Sequence, residues 1–262
     1  MKIIIYIFIS LLIPLTVVSQ KHITKLDAIG DTINKLSIKG QKTGIWHESK
    51  GVELEIGNYS FGKKDGAWVK YNIEGRISVI QEYSDGKLNG ITTVFDQFGM
   101  FRNEFHFKDN KLNGVNTYYD RNSKVEYKRH YKNGLLHGEN TSYYANGNKK
   151  EHHYYVNGKK DSISTFYSEE GIPLVILNYK NTLLNGSYTT YYPSGVLKSE
   201  KVYIDNLAQG KYYEYYNTSR LKTEGALKDD KKVGKWTYYN EDKSKYKTET
   251  YKKGVLIKTR SH

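Results

Sequence analysis

An all-β fold, an elongated antiparallel meander of tandem 24-residue β-hairpin repeats, is what this sequence predicts, and three observations carry the prediction. A glycine opens a similar phrase at Gly66, Gly90, Gly114, Gly138, Gly186, Gly210 and Gly234, in steps of 24 or 48 residues. Two columns of aromatic residues keep the same interval. Clusters of Asn, Asp and Gly separate the columns, the residues that tolerate the left-handed backbone of tight turns. Self-similarity at a fixed period of this size is the signature of stacked repeats.

The first column stands five residues after each glycine and reads Tyr71, Phe95, Tyr119, Tyr143, Tyr167, Tyr191, Tyr215 and Tyr239. The second reads Tyr59, Tyr83, Phe107, Tyr131, Tyr155, Tyr179, Tyr203, Leu227 and Tyr251, with one member that is not aromatic. Ser162 fills the one gap in the glycine series, and Gly44-Ile45-Trp46 is an earlier copy displaced by two residues. About nine repeats result.

One turn follows the first column, as in Asn72-Ile73-Glu74-Gly75 and Asp96-Gln97-Phe98-Gly99. Another follows the second column, as in Asp85-Gly86, Asn133-Gly134 and Asn157-Gly158, with Asp109-Asn110 and Asp205-Asn206 keeping the chemistry without glycine. Allowing about four to six residues per turn leaves strands of roughly six or seven. No helix fits between turns so close together. Ser123, Ser219 and Lys243 stand where other repeats have the turn glycine, so longer or distorted turns are expected there.

A lone hairpin cannot bury its apolar face, whereas stacked copies can. In a thin sheet every side chain lies near water, which suits Tyr, whose ring buries area while its hydroxyl finds a partner. That explains 26 Tyr beside only 3 Pro and no Cys among 262 residues. All sixteen aromatics named in the two columns are therefore read as structural. Trp46, Trp68 and Trp236 are expected to close the ends of the stack. Neighbours on a strand point to opposite faces, so in pairs such as Tyr143-Tyr144 the second member, Tyr144, Tyr192 or Tyr216, is the candidate exposed binding residue.

The outer segments are read differently. Lys2 and the apolar run from Ile3 to Val18 resemble a signal peptide cleaved near Ser19/Gln20. Residues 1–19 are thus assigned to the leader, 20–41 to a linker or N-terminal edge segment, 42–258 to the repeats and 259–262 to a frayed tail. The mature chain would be secreted or periplasmic, in association with the envelope.

Absence of Cys excludes disulfides, thiolate metal sites and cysteine nucleophiles. His106 and His130 share a column that continues as Tyr154, and His152-His153 place adjacent rings on opposite faces, so no metal site and no cofactor is expected. Glu82, Glu104, Glu126, Glu200 and Glu224 recur on second strands and read as partners of Lys or Arg in surface ion pairs. No phosphate loop, dinucleotide fingerprint or serine elbow occurs, and no catalytic residue is assigned.

The net charge of +13 favours acidic partners, a protein or an anionic envelope component such as a lipid headgroup or glycan. Nucleic acid is disfavoured, since Tyr is needed to hold the sheet and Lys to keep it soluble. The resulting reading is a non-enzymatic exported binding protein. Its rivals are an enzyme acting on envelope polysaccharide and a structural spacer.

The phrase running from Gly186 through Tyr191-Tyr192-Pro193-Ser194-Gly195 to Glu200 resembles a bacterial MORN-type repeat of the variant class, and so does Gly138 to Glu151. The resemblance extends over roughly Lys42 to Lys258. It implies a protein-binding or scaffolding role. Proteins of this kind are often labelled antitoxin components of YwqJK-type toxin–antitoxin modules, and MORN proteins are linked to membrane association and oligomeric scaffolds.

Overall fold

The computed structural model describes residues 25–26 and 32–262, and the expected leader, residues 1–19, lies outside them. Every regular element among the described residues is a β-strand. The fold is an antiparallel meander of tandem strand pairs, as the repeat predicts. The chain forms two compact units. The first comprises the described residues through Phe101 together with His106–Lys111; the second comprises Arg102–Phe105 and Leu112–His262.

In the first unit the strands Lys35–Leu36, Lys42–Lys50, Glu53–Ser60, Lys63–Tyr71, Ile77–Ser84 and Lys87–Phe95 pair in sequence order, each antiparallel to the next. A two-residue ladder, Lys25–Leu26 with Thr32–Ile33, precedes them. In the second unit the same order runs from Gly114–Tyr119 and Val125–Lys132 through Leu197–Ile204, Leu207–Tyr215, Leu221–Lys228 and Lys231–Tyr239 to Lys245–Lys252 and Val255–Ser261.

Strands are longer than expected, nine and eight residues in Lys87–Phe95 and Phe101–Lys108. The turn after the second column is the reason, because it takes only two residues. Asp109 and Asn110, with φ of 49° and 64°, show its form: both residues are left-handed, the type I′ geometry that matches strand twist. These positions also stitch repeats together. The Asn110 N–H donates to the Leu88 carbonyl at 2.9 Å while Asn110 Oδ1 accepts from the Leu88 N–H at 2.7 Å. Asn206 repeats both bonds on Leu184.

The other turn has five residues. Asn72 accepts from Gly75 N–H through its carbonyl, and its Oδ1 accepts from the Glu74 and Arg76 N–H groups at 3.0 and 2.9 Å. Ser123, Ser219 and Lys243 do not lengthen or distort this turn. Ser219, at φ 63°, donates its N–H to Tyr216 O at 2.9 Å, the same bond glycine makes elsewhere. The hydrogen bonds of the loop outweigh the cost of left-handed backbone at one residue.

The leading glycine marks a bulge. Gln81 pairs with Thr92 but Tyr83 pairs with Leu88, so Glu82 faces several residues at once. Gly90, at φ 117°, leaves room there for the Glu82 carboxylate, which accepts from the Ile91 N–H at 3.0 Å. The deepest burial follows two and three residues after these glycines. Trp68, Thr92, Asn116, Asn140, Ser164 and Trp236 form one buried column, and Thr117, Thr141, Thr165 and Thr237 another. Mid-strand positions have a neighbour on either side, and small polar groups fill them where the sheet is thin.

Trp68 and Trp236, expected to close the ends of the stack, are 0% and 3% exposed, each lying on a cross-strand glycine, Gly57 and Gly225. Trp46 pairs with Gly57 from the other side. The segment assigned to the tail, 259–262, is placed in a strand through Ser261. Residues 255–261 form a strand on Lys245–Lys252, with Thr259, Arg260 and Ser261 opposite Glu249, Thr248 and Lys247.

Candidate functional site

Strand alternation puts the two aromatic columns on opposite faces. Trp68 pairs with Gln81, two residues from Tyr83, and the Trp68 and Tyr83 rings stand 6.4 Å apart. Tyr71, three residues beyond Trp68, points the other way. We call the side of Tyr59, Tyr83, Phe107, Tyr131, Tyr155, Tyr179, Tyr203 and Tyr251 the first face. The side of Tyr71, Phe95, Tyr119, Tyr143, Tyr167, Tyr191, Tyr215 and Tyr239 is the second. All sixteen are half-buried.

On the second face three of the recurring acids, Glu82, Glu200 and Glu224, meet phenols or backbone. Tyr215 and Tyr239 donate to Glu200 and Glu224 at 2.9 and 2.6 Å, and Glu82 is held at its bulge. Among the described residues Glu82, Glu200 and Glu224 form no ion pair. Burial, and then the neighbouring carboxylates, push the Tyr215 and Tyr239 hydroxyls up to about 12.

Tyr144, Tyr192 and Tyr216 are half-buried rather than exposed. Each donates its hydroxyl to a backbone carbonyl of the next repeat: Tyr144 to Tyr167 at 2.8 Å, Tyr192 to Tyr215 at 2.9 Å and Tyr216 to Tyr239 at 2.8 Å. They occupy the turn position held by Asn72 and Asp96 in other repeats, but a longer side chain reaches past its own turn.

The first face carries cations over its rings. In the first unit Lys64 Nζ lies 3.7 Å from the Trp68 ring centre and 2.6 Å from Glu55, which also binds Lys70 at 3.1 Å. Glu55 is 3% exposed, and these two ammonium groups outweigh its burial and hold its carboxyl below the usual range. Lys42 stands over Trp46 and Tyr59 and pairs with Glu48.

In the second unit Lys247 stacks at 4.2 Å on Tyr238 and is held by Glu249 at 3.0 Å, but four other cations stack without such an acid. Arg129 lies 5.1 Å from both Tyr118 and Tyr127, and Lys160 lies 5.6 Å from Tyr179. Lys201 lies 4.9 and 5.0 Å from Tyr188 and Tyr203; Lys232 lies 4.3 Å from Trp236 and 5.0 Å from Tyr251. Cations so placed are attracted to the ring faces. None of the four forms an ion pair among the described residues. A hollow of about 340 Å³ opens beside Lys201 and Lys232, lined also by Ala208, Tyr212, Leu227 and Trp236.

Sequence reasoning passed over these cations, although the register held a signal. Lys64, Lys160 and Lys232 share one 24-residue column, and Arg129 and Lys201 another. Their ring partners become visible only once strands are paired.

Residues 112–133, 136–157 and 184–205 match the model of the MORN repeat variant. The match supports a MORN-type repeat protein. Each matched segment starts two residues before a leading glycine, at Leu112, Leu136 or Leu184, and ends on the first residue of a type I′ turn. The MORN-type unit here is therefore strand, five-residue turn and strand. Repeats outside the match keep that order; three of them carry Lys64, Lys160 or Lys232 where the matched ones have leucine, while others carry Leu88 or Ala208. MORN-type repeats are typically non-catalytic, and the protein is classed as non-enzymatic. No curated protein matches the chain.

Proposed function

We propose that this protein is an exported interaction scaffold that binds an acidic protein partner at the cell envelope. The observation that carries the reading is the first face of the second unit. Its half-buried rings hold Arg129, Lys160, Lys201 and Lys232 with no carboxylate partner among the described residues. A net charge of +13 adds long-range attraction for acidic partners. Export rests on Lys2 and the apolar run that ends before Ser19, and that address disfavours the antitoxin role, which needs the cytoplasm.

The test is retention of an envelope partner by the immobilised chain at low and high salt. An acidic protein held at low salt and released at high salt is the expected result, because exposed charge pairs are screened. Retention of nothing, or of a partner indifferent to salt, overturns the reading. Sequencing the N-terminus of the protein from its native host tests export, with cleavage expected near Ser19/Gln20.

A further inference from the structure

We infer that the first face of the second unit docks an extended acidic polypeptide segment that carries aliphatic side chains between its carboxylates. The inference rests on the scaffold reading above and names the site and chemistry of its partner.

Spacing is the first argument. Arg129 lies on the strand Val125–Lys132, Lys160 on the line of Lys159–Lys160 and Ser162–Tyr167, Lys201 on Leu197–Ile204 and Lys232 on Lys231–Tyr239. Through the observed pairings each cation sits three strands from the next. At about 4.8 Å per strand the step is about 14 Å. An extended peptide rises about 3.3 Å per residue, so a carboxylate at about every fourth residue meets the row.

Charge is the second. In the first unit a ligand acid must displace Glu55 or Glu48 from the lysines. In the second unit Glu249 holds Lys247, but no acid need be displaced from Arg129, Lys160, Lys201 or Lys232, which form no ion pair among the described residues. An ammonium has three donors, and Lys232 spends one on the Tyr238 hydroxyl at 3.0 Å. The rings beneath keep water from one side of each cation, which strengthens a new charge pair relative to one on an open surface.

The hollow beside Lys201 and Lys232 supplies the third. Its acids are already engaged: Glu214 by Lys222 at 2.8 Å, and Asp230 by the Ala208 N–H at 2.8 Å. Ala208 and Leu227 leave an apolar wall between the two cations, suited to a leucine-sized side chain. An acidic glycan brings charge but no aliphatic branch to fill that wall.

The experiment uses the full chain and a labelled 16-residue peptide with Glu at every fourth position and Leu and Ser between, measured by fluorescence anisotropy. The Gln-for-Glu peptide, polygalacturonate and phosphatidylglycerol vesicles are the comparison probes. The Glu peptide is expected to bind at least about tenfold tighter than the Gln peptide. It is expected to lose about tenfold in the double variant Lys201→Gln/Lys232→Gln, and nothing in Lys132→Gln/Lys180→Gln, which removes the same charge from exposed turn-flanking sites. Matching circular dichroism and thermal unfolding of both variants with the parent shows that they fold. Equal losses in the two variants, equal binding of the two peptides, or preference for polygalacturonate or vesicles overturns the inference. An envelope partner still retained by Lys201→Gln/Lys232→Gln removes this docking surface and leaves the scaffold reading standing, whereas no retained partner with the parent chain removes that reading.

Discussion

At the residue scale, conformation and close approach decide which substitutions the protein tolerates. A Cβ on Gly57 would lie 2.2 Å from the Trp68 ring, and one on Gly225 2.3 Å from Trp236. Gly57→Ala is expected to destabilise by about 1–3 kcal/mol or more, since the buried indole has nowhere to go; urea denaturation reads this directly. The reverse holds at Ser219, whose φ of 63° favours glycine. Ser219→Gly relieves a left-handed cost of about 1–2 kcal/mol and gives back part of it through unfolded-chain entropy. A gain of about 0.5–1 kcal/mol in the same denaturation series is expected.

Ionisation adds a residue-scale test. Tyr238 and Tyr251 donate to Glu249 at 2.6 and 2.8 Å, with Lys247 at 3.0 Å. Led by the Tyr238 bond, these partners hold the Glu249 carboxyl down to about 2 from an ordinary 4.5. Its contribution is therefore intact above pH 4.5 and disappears as pH falls through about 2. Glu249→Gln is expected to flatten the acid limb of stability in that window, measured by thermal unfolding against pH. At the other end, Tyr59, Tyr215 and Tyr239 have hydroxyls raised to about 12 from 10.0, chiefly by burial. Their contribution is full below pH 10 and lost as pH rises through about 12, so ultraviolet titration is expected to show a late-ionising set of phenols.

At the element scale, each hairpin is tied to the next along both of its ends. The two-residue turns bond backward, as Gly86 N–H does to Lys64 O at 2.8 Å. The five-residue turns reach forward, as Arg76 does to Gln97 O at 2.8 Å and Lys124 to Ala145 O at 2.8 Å. Tyr192 belongs to this forward set. Tyr192→Phe keeps the ring and removes one such bond, so a loss of about 1 kcal/mol is expected in equilibrium unfolding. An unchanged midpoint would mean that the hydroxyl serves something other than the link between repeats.

At the scale of the whole molecule, the repeat makes stability close to a sum of units and their nearest-neighbour interfaces. Deleting residues 186–209, one full period, is expected to preserve the β-sheet circular dichroism and cooperative unfolding, with a lower denaturant slope because less surface is buried. Deleting residues 186–197 removes half a period and joins one strand type to the wrong turn. That variant is expected to lose cooperativity, since the bulge and both faces fall out of register.

The sequence by itself determined the period, the strand-turn-strand order and the turn positions, because each is set by residues adjacent in the chain and appears once per repeat. Asp109-Asn110 and Asn133-Gly134 declared their turns through local backbone preference alone. Tertiary structure decided what pairs across strands. It placed the two aromatic columns on opposite faces, seated Trp68 on Gly57, turned Tyr144, Tyr192 and Tyr216 into ties between repeats, and ordered the terminal strand against Lys245–Lys252. It also separated Lys64, neutralised by Glu55, from Lys160 and Lys232 in the same column. Those distinctions depend on which side chains lie opposite one another after the register shifts at every bulge, and no single repeat read along the chain contains its neighbour's half of the contact.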